Sequence, residues 1–542
     1  MKTGIVFHDA TIVDGTGADS WRGDVVTQHD RIVAVARAKS LPKTFGVTHV
    51  DASGLVLSPG FIDIHTHSDF TLPCYPRAMS MTMQGVTTQV AGNCGFSPFP
   101  VDGRRGDLLR EYTAFLDGGL PWGAWSDADG FMTFVSGLPL AVNLACQVGH
   151  GSVRIAAMGF EEGPPSRSQM EEMKGFVAAA MIAGAYGMSS GLTYAPASLA
   201  ETAELVELAK VVGKYGGFYS THLRNEAITL VEALGEALRI GSDADVPVQV
   251  SHHKAMGRAN WHKVATTLEM VDQAVVLGQD VTLDQYPYTA SSTGLVALLP
   301  AWSLSGGIDQ VVRRLSTPAE REKIRNQIVL QSPADLMGGL REFAPDEVVL
   351  ADGPSSLERY IGMTLTEVAA ARQELPVDTV LDLITETRGE VLTVVHGQSE
   401  ENIQKIMKHG RSMIASDGWT LSPTAGGRPH PRSYGTFSRV LGSYVREEHV
   451  LRLEEAVRKM TSLPARRLGF RDRGLIREGH AADLVLFDPA SVSDRATFED
   501  PHQLSVGVQM VVVNGVVVVE GGVDTGAAPG RVLRKKVGAA RG

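Results

Sequence analysis

Short apolar runs set between turn-forming residues dominate both ends of the chain. Residues 4–7, 11–13, 24–27, 31–35 and 54–57 read as β-strands, with Asp14-Gly15 and His29-Asp30 supplying turns. Residues 482–487 and 508–519 repeat the pattern, the second run broken by Asn514-Gly515, a dipeptide suited to a tight hairpin. Two β-rich ends around a different middle predict one small β-sandwich domain built from both termini, residues 1–57 and 466–542.

The middle alternates strand and helix. The run at 218–222 is followed by Leu230, Leu234 and Leu238 at helical spacing, and the run at 246–252 by Val264, Leu268 and Val271. Each unit takes about thirty residues, the length of a βαβ repeat. Ser166 and Gln169 form a capping-box pattern ahead of Met170, Met173 and Val177. Adding 62–67, 87–91, 141–150, 185–191, 280–286 and 413–417 gives eight strand candidates, the number that closes a barrel. The expected fold is therefore α/β, a TIM-like (β/α)8 barrel over residues 58–465. Residues 289–390 exceed a loop and carry their own helical pattern at 320–330, which predicts an insertion over the barrel mouth. Residues 391–396 also read as a strand, inside or outside the barrel.

Composition narrows the class. A chain of 542 residues, 43% hydrophobic and 20% charged, can bury a core without disulfides or a structural metal. A net charge of −11 and no dense basic face argue against nucleic-acid binding. The basic run at 531–536 reads as a solvated end. Three cysteines cannot form a disulfide framework, no run reaches membrane-spanning length, and residues 1–8 lack leader features. The expectation is a cytoplasmic protein with no membrane partner.

Candidate chemistry sits at the C-terminal ends of the predicted strands, where barrel enzymes place their sites. His65 and His67 share one face of an extended strand and can hold a divalent metal together, with Asp69 on the same parity to orient a histidine. Cys94 lies between Gly92 and Gly95, which let a thiol reach a loop tip as a soft zinc ligand; Cys74 and Cys146 read as buried hydrophobes. His222 ends one strand, with Arg224 and Glu226 just beyond. Either His252 or His253 ends the next, and Asp417 ends the last. Any one of these fits a structural role, but five strand tips bearing His, Cys or Asp do not fit apolar barrel layers.

These residues fall in motifs that resemble the D-aminoacylases, the N-acyl-D-amino-acid deacylases of the amidohydrolase superfamily. The resemblance runs nearly end to end, through SPGFIDIHTHSD at 58–69, GNCGFSP at 92–98, VGHG at 148–151, THLRNE at 221–226, SHHK at 251–254, YPYT at 286–289 and HPRSYGTF at 430–437. Residues 190–196 and 419–427 depart from the family pattern. The resemblance implies one tightly held zinc on Cys94, His222 and His252, which selects His252 over His253. It implies a weaker second metal on His65, His67 and Asp417, with Cys94 able to bridge. It also implies that Lys254, Tyr286, Ser292 and Arg432 hold the α-carboxylate of a small N-acylated amino acid. Asp417, the carboxylate beside the proposed metals, is assigned as general base and then acid. A homo-oligomeric state is compatible with this reading. Two alternatives stand beside it: hydrolysis of a cyclic amide, ureide or other N-acyl amine, and a non-catalytic scaffold that kept the barrel.

Overall fold

The structure is a computed structural model that describes residues 4–38, 47–330 and 344–536, so residues 331–343 of the expected insertion and 537–542 of the tail lie outside it. In the barrel, Phe61–Asp63, Val86–Ala91 and Asn143–Cys146 pair in parallel. So do Val148–Gly149, Gly187–Gly191, Phe218–His222, Val248–Val250, Val281–Gln285 and Ser412–Ile414, in that order. Asn143–Cys146 and Val148–Gly149 are one path interrupted at Gln147, and His150, expected in that strand, instead opens the helix His150–Met158. The Asp417 N–H donates to His65 O at 2.9 Å and His67 N–H to Gly418 O at 2.9 Å, joining the last strand to the first. Helices cover the outside, so both faces of strands such as Phe218–His222 are buried and their sequences carry no strict alternation. Ser166 caps the helix Arg167–Ala183 with Gln169 in the reciprocal position, as the capping-box pattern requires.

The two chain ends share one sheet. Val56–Pro59 pairs on one side with Gly4–Ile12 and on the other with Leu484–Phe487, which continues to Val508–Val513 and Val516–Glu520. The runs at 4–7 and 11–13 lie on one strand path, the first bent by a register shift between Phe7 and Ala10. Period-two alternation splits its strands between two cores. Leu57, Leu484, Leu486, Met510 and Val512 fill a core of the sheet's own, whereas Val56, Val485, Phe487, Val511 and Val513 pack on the barrel.

The strand Leu392–His396 belongs to the insertion, not the barrel. It pairs antiparallel with Ala290–Gly294 and with Val348–Asp352, so the inserted sheet begins just after the seventh barrel strand and ends beyond residue 390. The basic run at 531–536 is not a solvated end. Leu144 N–H donates to Arg531 O at 2.9 Å, Leu533 N–H to Leu144 O at 2.7 Å and Lys535 N–H to Gly184 O at 2.8 Å, while Arg534 pairs with Asp129. The interrupted third strand leaves unpaired backbone groups, and the tail satisfies them.

Candidate active site

Three donors stand in left-handed backbone just beyond their strands: Cys94 at φ 53°, His252 at φ 34° and Asp417 at φ 49°. Such conformations cost a non-glycine residue about 1–3 kcal/mol and persist where the surroundings fix them. Around Cys94 the sequence supplies the means. Gly92 has φ 82° and a Cβ there would meet Gln147 O at 2.2 Å, while one on Gly95 would meet Gly191 N at 2.7 Å. Asp63 ties the first strand to the last, accepting Ser416 N–H at 3.0 Å and His65 N–H at 3.3 Å; burial pushes its carboxyl up to about 7.

Cys94 Sγ lies 3.3 Å from both His65 Nε2 and His252 Nε2. Asp417 Oδ1 lies 3.3 Å from His65 Nε2 and 3.1 Å from His67 Nε2, and its Oδ2 accepts from Arg432 Nη1 at 2.6 Å. His222 Nε2 is 3.4 Å from Glu226 Oε2, and neither ring nitrogen has a hydrogen-bond partner although the side chain is buried. Two donor groups result, His65 with Cys94, His252 and Asp417, and His222 with Glu226 and His252. Thus His252 joins the two groups, and Cys94 stands between His65 and His252, where it can bridge.

Two carboxylates not assigned roles from the sequence orient these histidines. Asp284 Oδ1 lies 3.1 Å from His65 Nδ1 and accepts His252 N–H at 2.6 Å. Glu226 Oε1 lies 3.1 Å from His252 Nδ1 and accepts from Lys254 Nζ at 2.6 Å. With Nδ1 protonated toward Asp284, the His65 ring can present Nε2 toward Cys94, the arrangement typical of metal-binding histidine. His252 Nδ1 instead lies between Glu226 Oε1 and Lys254 Nζ, the latter at 2.9 Å. Asp69 does not take this part: it is buried but bonds no histidine. His253 points away to Thr267 at 2.9 Å, and Cys74 is only partly buried.

Electrostatics follow from burial and close charges. Burial opposes charge at Asp417, yet Arg432 first and His65 beside it hold its carboxyl well below the ordinary range. Burial keeps His222 and His252 neutral, the form a metal needs. Burial also pushes the Cys94 thiol up to about 11, so a cation among these donors is what turns it into a thiolate.

Lys254, Tyr286 and Ser292 line one cavity with Cys94, His222, His252 and Asp417. Ser292 Oγ is buried without a partner, and Tyr286 Oη accepts from Gln398 at 2.9 Å. Arg432 sits behind Asp417, its guanidinium 4.9 Å from the Tyr286 ring centre. His430 fixes it there: Nε2 lies 2.9 Å from Ala290 O, and Nδ1 accepts Arg432 N–H at 3.0 Å. His430 opens the 430–437 motif, but only the fold shows that it links Arg432 to the inserted strand bearing Ser292.

The donor set fits zinc. Ligands at about 2.0–2.3 Å around a tetrahedral ion stand roughly 3.3–3.7 Å apart, matching the sulfur–nitrogen separations here, and the orphaned His222 nitrogens lack another role. The comparisons agree in kind. A model of the amidohydrolase family matches residues 48–519. The chain is 36% identical to a D-aminoacylase of Alcaligenes xylosoxydans xylosoxydans, over 98% of this chain and 97% of that protein. It is 34% identical to an N-acyl-D-glutamate deacylase of the same organism, again over 98% and 97%. It superposes with a TM-score of 0.82 and 33% identity on the N-acyl-D-glutamate deacylase of Bordetella bronchiseptica, covering 98% of this chain and 100% of that one. That crystal structure holds zinc and a phosphonate inhibitor that mimics the tetrahedral intermediate.

Proposed function

This chain belongs to the amidohydrolase family, and on that footing we propose that it is a zinc-dependent N-acyl-D-amino-acid deacylase. One observation carries the reading: a single cavity is lined both by the metal donors and by Lys254, Tyr286 and Ser292, groups suited to a substrate carboxylate.

Cys94, His222 and His252 would hold the essential zinc, with His65, His67 and Asp417 forming a weaker position. Bound zinc supplies Lewis acidity toward the scissile carbonyl and makes a water acidic near neutral pH. Asp417 moves the proton. Arg432 pins Oδ2 and keeps the group ionised, so Oδ1, facing His65 and His67, takes the proton of the attacking water. The same oxygen delivers that proton to the departing amine, giving a carboxylic acid and a D-amino acid. Lys254, Ser292 and Tyr286 hold the α-carboxylate, with Arg432 adding charge from behind Asp417. Three cysteines without a disulfide support a reducing, cytoplasmic setting. No helix among the described residues is long and apolar enough to cross a membrane.

Metal analysis combined with turnover of N-acetyl-D-Met, -Phe and -Glu beside their L forms tests the reading. We expect zinc and D-selective hydrolysis. Turnover only of L forms, or only of cyclic ureides and imides, overturns it.

A further inference from the structure

The barrel carries a second chamber beside the catalytic cavity. It shares Tyr194 and Ala297 with that cavity and measures about 710 Å³ with its mouth included. Its wall is largely aromatic and aliphatic: Phe96, Tyr112, Phe115, Phe160, Val296 and Ile308 line it, with Glu111 and Arg388 also in its lining. An aromatic and aliphatic wall with only a few polar groups is the lining typical of a small-molecule site.

Its place around the barrel indicates what enters. Phe96 follows the second barrel strand and Tyr194 the fourth, whereas Lys254, Tyr286 and Asp417 follow the sixth, seventh and eighth. The Phe96–Tyr194 wall and the Lys254, Tyr286 side of the clamp therefore occupy different sectors of the ring, while Val296, Ala297 and Ile308 reach the chamber from the inserted segment after the seventh strand. Tyr194 marks the boundary: its ring lies 5.2 Å from His222 and 5.0 Å from Phe96, and its hydroxyl is 3.2 Å from Thr293 Oγ1. Phe96 continues the wall, 4.8 Å from Tyr112 and 5.5 Å from Phe115. A trans amide directs its two substituents to opposite sides of the C–N bond. With the carbonyl at the donors and the α-carboxylate in the clamp, the acyl substituent points toward this chamber.

We propose that the chamber is the acyl subsite and that it makes medium-chain or arylalkyl acyl groups the preferred substrates over acetyl. The inference rests on the deacylase reading above and specifies its substrate class. Each methylene buried in such a wall is worth about fourfold in kcat/KM, so even partial burial of a chain gives a clear gradient.

The test is a series of N-acetyl-, N-butanoyl-, N-hexanoyl- and N-octanoyl-D-methionine on the zinc-loaded enzyme. It is repeated with Ala114→Phe and Val296→Phe, two wall positions away from the catalytic machinery whose folding is checked by thermal melting. We expect kcat/KM to rise at least tenfold from acetyl to octanoyl, and the bulkier walls to abolish that rise while changing acetyl turnover less than twofold. A flat series in the wild type overturns the subsite and leaves the deacylase reading standing. A rise that both variants leave intact does the same, because the chain then lies elsewhere. Variants that instead change the ranking of D-side chains on N-acetyl substrates assign the chamber to the side chain, against the proposal. Absence of turnover for every N-acyl-D-amino acid removes the deacylase reading and the subsite together.

Discussion

Replacing Asp417 with asparagine separates the two tasks assigned to its carboxyl. The shape is kept, so Oδ1 and its replacement still face His65 and His67, but the proton acceptor is gone. Loss of a positioned general base costs about 10²–10⁴-fold in rate, or roughly 3–5 kcal/mol of barrier. The second consequence is structural. Arg432 is 1% exposed and pairs with Asp417 at 2.6 Å, so the variant leaves a buried guanidinium facing a neutral amide. Breaking such a pair costs about 3–5 kcal/mol, and the retained amide oxygen recovers part of it. Cys94, His222 and His252 are untouched, so zinc should stay. The assay is steady-state deacylation at matched zinc content, with thermal melting beside it because bound metal itself shifts the midpoint. Adding Arg432→Met to the asparagine variant should recover stability but not activity. If the single variant holds zinc and keeps kcat within tenfold of wild type, Asp417 is not the acid–base group.

Two further outcomes follow. Cys94→Ala should lose the essential zinc with most activity, and full zinc occupancy by elemental analysis would contradict the ligand assignment. Glu204 is a pH-dependent strut away from the site: it bonds His150 at 2.8 Å and pairs with Arg154, and although burial opposes its charge, these partners lower its pKa below 4.5. A depressed carboxyl contributes stability above its unfolded pKa and loses it as pH falls through the folded value. Glu204→Gln should therefore lower the melting point near pH 7 by the equivalent of about 3 kcal/mol and flatten the acid-side loss below pH 4.5. An unchanged acid limb in thermal melts taken from pH 3 to 7 would refute that role.

Much of the barrel was legible because its strands are local: each is a short apolar run ending in a polar residue. The parallel pairing and closure followed from the count of such runs. What the pattern could not show depends on distant partners. Asp284 reads as one more residue near the end of a strand, and only the closed ring brings it to His65, 219 positions away. Glu226 lay in view beyond His222 but acts on His252 and Lys254 of the neighbouring strand. The docked tail is a short basic run with no apolar signature; its anchors are the backbone groups of Leu144 and Gly184. The inserted strand at 392–396 resembled a barrel strand because burial selects the same residue types in both sheets.

The sheet shared by the two chain ends also sets an order of events during synthesis. Arg31 and Asp472 meet across 441 positions, and Val56–Pro59 has its neighbour Leu484–Phe487 only after the whole barrel has been translated. At ribosomal rates of about 5–20 residues per second, that gap lasts roughly 20 to 90 seconds. Through this interval the nascent amino-terminal strands present an open edge with apolar residues on both faces. Polypeptides released before the last strands emerge would keep that edge permanently, making them candidates for chaperone capture or aggregation. Completion of the carboxyl end is what seals the amino end.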